Sequence, residues 1–245
     1  MSEICCKTWW PSMATVSCMF ERPHHQRIAQ VLDALDGDLL TQAKCYFGGG
    51  TAIALLCGEF RESVDIDFLC ADQDGYRLIR EAIAPPRLGR LLRHPVTHRR
   101  DVRTERDKIS TFLEVDGTPI KFELVREARI TFEDTPGQLL GVPVLDRVDL
   151  YAEKLLANAD RGQDRSQKSR DMIDLAMMID TWGAIPDLAV EKAVGAYGLS
   201  ILRAFDNSLA LLNDPAYLRE CLVAMGMDEA LGEMILALLH QHRLE

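Results

Sequence analysis

Glycine, threonine and paired aspartate residues within one short stretch carry the chemical signal of this chain. The segment FGGGTAIALLCGEFRESVDIDFL spans residues 47–69. Gly48, Gly49 and Gly50 let the backbone turn sharply and approach a ligand with no Cβ in the way. Thr51 is placed to cap the helix that starts there. The free N–H groups of such a helix start, with the positive end of its dipole, favour a phosphate. The chain then returns as a strand bearing Asp65 and Asp67. Side chains two apart on a strand point the same way, so both carboxylates face one side while Ile66 and Phe68 face the other. Two carboxylates that close repel unless a cation lies between them. Magnesium takes oxygen ligands, often a few carboxylates completed by water and substrate phosphates. A phosphate cradle beside a carboxylate pair is an arrangement for metal-assisted phosphoryl or nucleotidyl transfer.

A third carboxylate lets two ions share such a site, and the segment TPIKFELV offers one. Lys121 and Glu123 share one strand face, with Ile120, Phe122 and Leu124 on the opposite, buried face. If this strand neighbours VDIDFL, Glu123 meets Asp65 and Asp67; by themselves Lys121 and Glu123 read as an exposed strand pair.

The elements that must hold these residues follow from periodicity. A helix is expected over 24–35, from Ile28, Val31, Leu32 and Leu35 at helical spacing. A short strand over 45–47 leads into the glycine turn, and a helix over 52–57 is ended by Gly58. VDIDFLC alternates as a half-buried strand does. A helix continuing over 78–83 is stopped by Pro85 and Pro86, and STFLEV and TPIKFELV are strands joined by the hairpin signal Asp116-Gly117. The second half is helical, with DRVDLYAEKLLANA, then SRDMIDLAMMIDTW capped by Ser169, then further helices. The segment TPGQLLGVPV over 135–144 reads as the boundary between the two halves. The expected architecture is an α/β domain followed by an all-α domain.

At 245 residues the chain has room for one large or two small domains. No run of about 18 apolar residues occurs. The N-terminus lacks the basic start and apolar stretch of a secretory signal, so a cytoplasmic protein without membrane contact is expected. Residues 1–19 read as a disordered extension, with Met13 and Met19 as alternative starts. The seven cysteines are odd in number. Cys45, Cys57, Cys70 and Cys221 lie in apolar segments, where cysteine acts as a small hydrophobe, and Cys5, Cys6 and Cys18 form no zinc pattern. Net charge is −10, so the molecule as a whole repels nucleic acid. Over 87–108, however, eight basic residues (Arg87, Arg90, Arg93, Arg99, Arg100, Arg103, Arg106, Lys108) stand against three acids. A second basic loop covers 161–170. Local positive charge on an acidic chain suits a polyanion held at one place. No P-loop and no G-x-S-x-G motif occurs, which excludes those kinase and hydrolase patterns.

With these motifs the chain resembles the DNA polymerase β-like nucleotidyltransferases, in which a small-residue turn is followed, after a short interval, by D-x-D on a strand. GGGTAIALLCGEFRESVDIDFL is most similar to the AbiEii-type abortive-infection nucleotidyltransferases, many of which serve as toxins of toxin–antitoxin pairs. AEKLLANADR and RDMIDL resemble that family's helical half, so the likeness covers 46–175. The resemblance implies an α+β (α/β) fold, with a small mixed sheet and flanking helices of nucleotidyltransferase type over 20–140 and an all-α domain over 141–245.

Carried over by position, it makes Asp65 and Asp67 metal ligands with Glu123 as third acid. Gly49, Gly50 and Thr51 would hold the triphosphate, and Arg61, Ser63 and Lys121 would contact the nucleotide. Lys154 would neutralise charge on the transferring phosphate, oriented by Asp171 with Asp174 as the fallback. Thr51 stands where the superfamily commonly has Gly-Ser, and Glu123 where many members have Asp. The implied cofactor is Mg2+ or Mn2+ and the implied substrate a nucleoside triphosphate. The acceptor would be RNA (transfer RNA in particular), met along the basic stretch, or a protein hydroxyl, and an antitoxin protein would be the partner. The alternative from another class is a nucleotide- or partner-binding module on the same fold that catalyses nothing; the presence of Asp65, Asp67 and Lys154 disfavours it.

Overall fold

The computed structural model describes residues 19–132 and 136–244. The expected extension (apart from Met19), Met13, Cys5, Cys6, Cys18 and Thr135 lie outside the described residues. Helix α1 (Pro23–Ala34) starts with proline at its first turn and buries Ile28, Val31 and Leu32 along one face. Helix α2 (Gly37–Gln42) is capped by Asp36, which accepts from Leu39 N–H. Strand β1 (Cys45–Gly48) leads into α3 (Gly49–Leu56), and β2 (Asp65–Cys70) returns with Ile66, Phe68 and Cys70 buried. Helix α4 (Gln73–Ala82) begins earlier than its apolar pattern suggests, because the Asp72 carboxylate accepts from Gly75 N–H and caps it.

Strands β3 (Thr97–His98) and β4 (Arg103–Thr104) are short edge pieces that both pair with β5 (Lys108–Val115). β5 and β6 (Thr118–Arg126) form the expected hairpin. Asp116 and Gly117 have φ of 48° and 73°, the left-handed pair that such a two-residue turn requires. The segment read as a domain boundary adds to the sheet instead: β7 (Gly137–Leu139) and β8 (Val142–Val144) form a hairpin, and Val144 pairs in parallel with Phe47. Three-residue strands are too short to show alternation, so sequence pattern could not reveal them. The mixed sheet runs β3-β5-β6-β2-β1-β8-β7, with β4 also on β5.

Helices follow to the end of the described chain: α5 (Arg147–Arg161), α6 (Arg170–Trp182), α7 (Asp187–Tyr197), α8 (Ser200–Leu212), α9 (Pro215–Ala224) and α10 (Gly232–Gln241). α5 packs on α6, α7 and α8, and α3 packs on both α5 and α6, which brings the glycine turn to the helical half. Among the described residues no helix is long and apolar enough to cross a membrane.

Two expectations are corrected. Cys45 and Cys70, read as independent small hydrophobes, stand directly opposite in the β1–β2 register, with Cα atoms 4.1 Å apart, and are joined as a disulfide. Register between strands 25 residues apart is a tertiary fact that cysteine spacing does not reveal. Ser169 does occupy the N-cap position of α6, but its backbone is left-handed and its hydroxyl lies 3.2 Å from Tyr217 Oη instead of capping.

Beneath the sheet face that carries Asp65 and Asp67, Phe47, Phe68 and Phe122 form a row across β1, β2 and β6, with ring centroids 5.6 and 5.8 Å apart. All three are fully buried. Phe68→Ala is expected to cost about 3–5 kcal/mol in urea denaturation, the range for a large-to-small change in a closed core. A loss under about 1 kcal/mol would mean that the neighbouring rings close the cavity.

Candidate active site

The carboxylate pair is placed by strand register. β2 runs parallel to β6 with Asp65 opposite Lys121 and Asp67 opposite Glu123, so four charged groups form one patch on one sheet face. The neighbouring-strand condition on which Glu123 depended is therefore met. β1 lies on the other side of β2, antiparallel, with Gly48 opposite Asp67. Gly49 follows at φ +68°, and a Cβ there would lie 2.9 Å from Asp67 Oδ2. Glycine at this position thus serves both the left-handed backbone and the close approach of the turn to the carboxylate. Burial first, then the charges of Asp65 and Glu123, push the Asp67 carboxyl up to about 6. Glu123 is itself neutralised, accepting from Lys121 Nζ at 2.8 Å and pairing with Lys108.

Thr51 was expected to cap α3, and the structure corrects this. Gly48 is the N-cap and Thr51 lies inside the first turn. Its buried hydroxyl donates to the Asp65 carbonyl and lies 2.8 Å from Ser63 Oγ. Ser63 N–H donates to Nε2 of the fully buried His25, so the ring proton sits on Nδ1, 2.7 Å from Glu59 Oε1. Burial pushes His25 below its ordinary pKa, against the pull of Glu59. Thr51, Ser63 and His25 thereby fasten the start of β2, and with it Asp65. Sequence reasoning overlooked His25, which no motif marks.

Helices α5 and α6 supply the opposite wall. Lys154 is buried, 2.9 Å from Asp171 and 2.6 Å from Asp174. Arg161 also binds Asp171 through two N–H groups, at 2.7 and 2.9 Å. Asp174, fully buried, accepts from Arg61 Nε at 2.6 Å and Nη2 at 2.8 Å. Burial opposes charge on Asp171, but Lys154 and Arg161 outweigh it and hold the acid well below the usual range; Arg61 and Lys154 do the same for Asp174. Arg61, expected on phosphate or base, instead has one side of its guanidinium committed to Asp174. It lies under the glycine turn, where a Cβ on Gly50 would meet its Nη2 at 2.4 Å.

Sheet and helices enclose a cleft of about 340 Å³, lined by Gly49, Gly50, Thr51, Arg61, Ser63, Asp65, Asp67, Lys121, Glu123 and Lys154 among others. Asp171 and Asp174 stand behind it. The lining also holds Glu127, Arg129, Glu153 and Asp160, which the sequence reading did not single out, and Arg161 and Arg170, the two ends of the second basic loop. Strand alternation carried past Glu123 leads to Glu127, and helical spacing from Lys154 leads to Ala157 and Arg161, so some of these were within reach. Arg129 grips Glu127 and reaches Glu153 at 3.0 Å and Asp160 at 3.1 Å. Burial and the Glu127 charge push Glu153 up to about 8. The basic stretch lies outside this cleft: Arg99, Arg100 and Arg103 sit against β5, Arg93 pairs with Asp36 and Asp38 beside α2, and among the described residues only Lys108 of the stretch reaches a cleft residue, Glu123. Among the described residues no cluster of three His, Cys, Asp or Glu side chains stands ready-made around a metal position.

A mixed sheet with a glycine turn, paired aspartates and a helical wall bearing a buried lysine is the build of a nucleotidyltransferase. Residues 31–235 match the family model described as nucleotidyl transferase AbiEii toxin, type IV toxin–antitoxin system. The chain belongs to the AbiEii nucleotidyltransferase family. Two solved structures share its fold. One is a protein described as a nucleotidyltransferase from H. pylori, at 16% identity and TM-score 0.54, covering 90% of this chain and 93% of that one. The other is JHP933 from Helicobacter pylori, at 15% identity and TM-score 0.54, covering 91% and 93%. No curated protein matches the chain.

The raised Asp67 carboxyl sets a pH dependence in chelator. The fold favours its neutral form, so its stabilising contribution is full below the ordinary value of 3.8 and is lost as pH rises through about 6. Asp67→Asn is therefore expected to be more stable than the unsubstituted protein at pH about 8, by on the order of 1–3 kcal/mol, with the gain vanishing near pH about 4. Urea denaturation at the two pH values measures this; a gain of equal size at both would contradict the assignment.

Proposed function

We propose that this protein transfers a nucleoside monophosphate from a nucleoside triphosphate to a hydroxyl acceptor, with Asp65 and Asp67 holding Mg2+ or Mn2+. The observation that carries the reading is the placement of Asp67 between Gly49 of the turn and Glu123 of the next strand. A buried Asp67 carboxyl, raised by desolvation and then by the charges of Asp65 and Glu123, fits a site that takes up a cation. The donor set, two carboxylates with a third alongside, suits magnesium, which fills its remaining positions with water and phosphate oxygens. The metal would draw charge from the phosphates and orient them for in-line attack.

The chain's own residues do the rest. Backbone N–H groups at the start of α3 face the phosphates. Lys154, oriented by Asp171 and Asp174, carries positive charge to the cleft wall. Lys121 holds Glu123 beside Asp67. In the transfer, the acceptor oxygen bonds to the α-phosphorus and gives up its proton, the bond to the bridging oxygen breaks, and pyrophosphate leaves. An antitoxin partner belongs to the same proposal, since the family is described as a toxin of a type IV system.

Asp67→Ala tests the catalytic reading. Transfer from labelled nucleotide should fall by about a hundred- to a thousandfold, the usual cost of removing a transition-state charge stabiliser, with the fold retained. Full activity in this variant, or none in the unsubstituted protein with any nucleotide and either metal, would favour a non-catalytic binding module.

RNA is the proposed acceptor, met along the exposed basic stretch. Arg93, Arg99, Arg106 and Lys108 have acid partners, whereas Arg87, Arg90, Arg100 and Arg103 have none among the described residues. Their charge is open to phosphates. Arg100→Ala with Arg103→Ala should weaken RNA binding and flatten its dependence on salt, because fewer counterions are released. Nucleotide binding in the cleft should stay unchanged. A double variant with the same RNA affinity and salt slope would turn the choice to a protein hydroxyl.

A further inference from the structure

We propose that Arg170 is the residue that grips the terminal phosphates of the nucleotide and the pyrophosphate that leaves. The inference rests on the transferase reading and adds a contact to it. Among the described residues six cations line the cleft, and five of them are already matched to acids. Arg61 is held by Asp174, Lys121 by Glu123, Arg129 by Glu127, Lys154 by Asp171 and Asp174, and Arg161 by Asp171. Arg170 is half-buried in the lining, and no hydrogen bond or ion pair to its side chain is present among the described residues.

Its position on α6 supports the assignment. Arg170 is the first residue of the helix and lies four before Asp174, so the two share one helix face. Asp174 Oδ2 would lie 3.5 Å from a Cβ on Gly50, so that face is turned toward the glycine turn. Helical side chains lean toward the N-terminus, which carries Arg170 to the open end of the same face. A cation in the first turn is also unfavourable to the helix dipole. A residue that opposes a local rule and has no compensating acid marks a site where the opposite charge arrives with a ligand.

A polyphosphate entering this cleft meets acids on the sheet face and cations that are mostly neutralised. A planar guanidinium with free N–H groups binds two phosphate oxygens at once, which an already paired lysine does not. Opposite the aspartate pair, Arg170 would hold the β- and γ-phosphates while the α-phosphorus reacts. After transfer it would hold the product.

Calorimetric titration of the full chain with inorganic pyrophosphate and magnesium tests this. Arg170→Gln should weaken pyrophosphate and nucleoside triphosphate binding by about tenfold to a hundredfold, with nucleoside monophosphate binding unchanged. Arg170→Lys should recover part of the loss. Because the substitution removes a cation from a helix N-terminus, its melting temperature should equal or exceed that of the unsubstituted protein. Pyrophosphate affinity unchanged in Arg170→Gln overturns the inference and leaves the transferase reading standing. Equal losses for monophosphate and triphosphate overturn it as well, because they would mean a disturbed cleft. If the unsubstituted protein binds neither pyrophosphate nor triphosphate with either metal, the transferase reading itself fails.

Discussion

Asp174 has no exposure to solvent, yet it carries a charge that two cations from different parts of the chain hold in place. Arg61 comes from the connection between α3 and β2, and Lys154 comes from α5. A carboxylate buried this completely is tolerated only when its lone pairs are satisfied and its charge is matched. Loss of either cation would leave an uncompensated charge, so glycine turn, paired aspartates and helical wall are tied into one arrangement. The tie concerns specificity more than net stability, since desolvation of the ions offsets much of their attraction. Its effect is geometric: it sets where α6 stands against the turn, and so where the cleft opens.

The cleft that results is electrostatically divided. On the sheet face, Asp65, Asp67 and Glu123 crowd together, and burial, with the charges of the other two added, raises the Asp67 carboxyl. On the helical face, Asp171 and Asp174 are held charged by stronger neighbours. Carboxylates of similar intrinsic acidity thus divide by environment: Asp67 has no cation paired to it, whereas Glu123, Asp171 and Asp174 are each held by two. Asp67 suits an incoming cation. Asp171 and Asp174 suit positioning of Lys154. Further along the cleft, Arg129 gathers Glu127, Glu153 and Asp160, linking the end of β6 to α5. That link bridges sheet and helices in the same way as the Asp174 pair.

Small backbone details carry these relations. Gly49 must be glycine both for its left-handed φ and because Asp67 occupies the space a side chain would take. Thr51 and Ser63 line the cleft and also bond to each other, and their hydroxyls, with His25 behind them, fix the entry to β2. Two hydroxyls that look like phosphate contacts in a motif act first as fasteners of the strand that bears the acids.

Local periodicity and turn chemistry were enough to read the elements that hold the site. The alternation of VDIDFLC put Asp65 and Asp67 on one face, Asp116-Gly117 marked the hairpin, and helical spacing placed Lys154 and Asp171 on separate helices, because each signal lies within one turn or one pleat. The family, too, was legible from the glycine turn and the aspartate pair. Strand register, long-range pairing and charge matching were not. That Asp67 stands opposite Glu123, that Cys45 meets Cys70, that β8 joins β1, and that Arg61 turns to Asp174 all depend on residues far apart in the chain coming together. A motif records side-chain type and spacing. Which acid each cation meets, and so which cation is left for a substrate, is decided only when the sheet and helices pack and water is excluded between them.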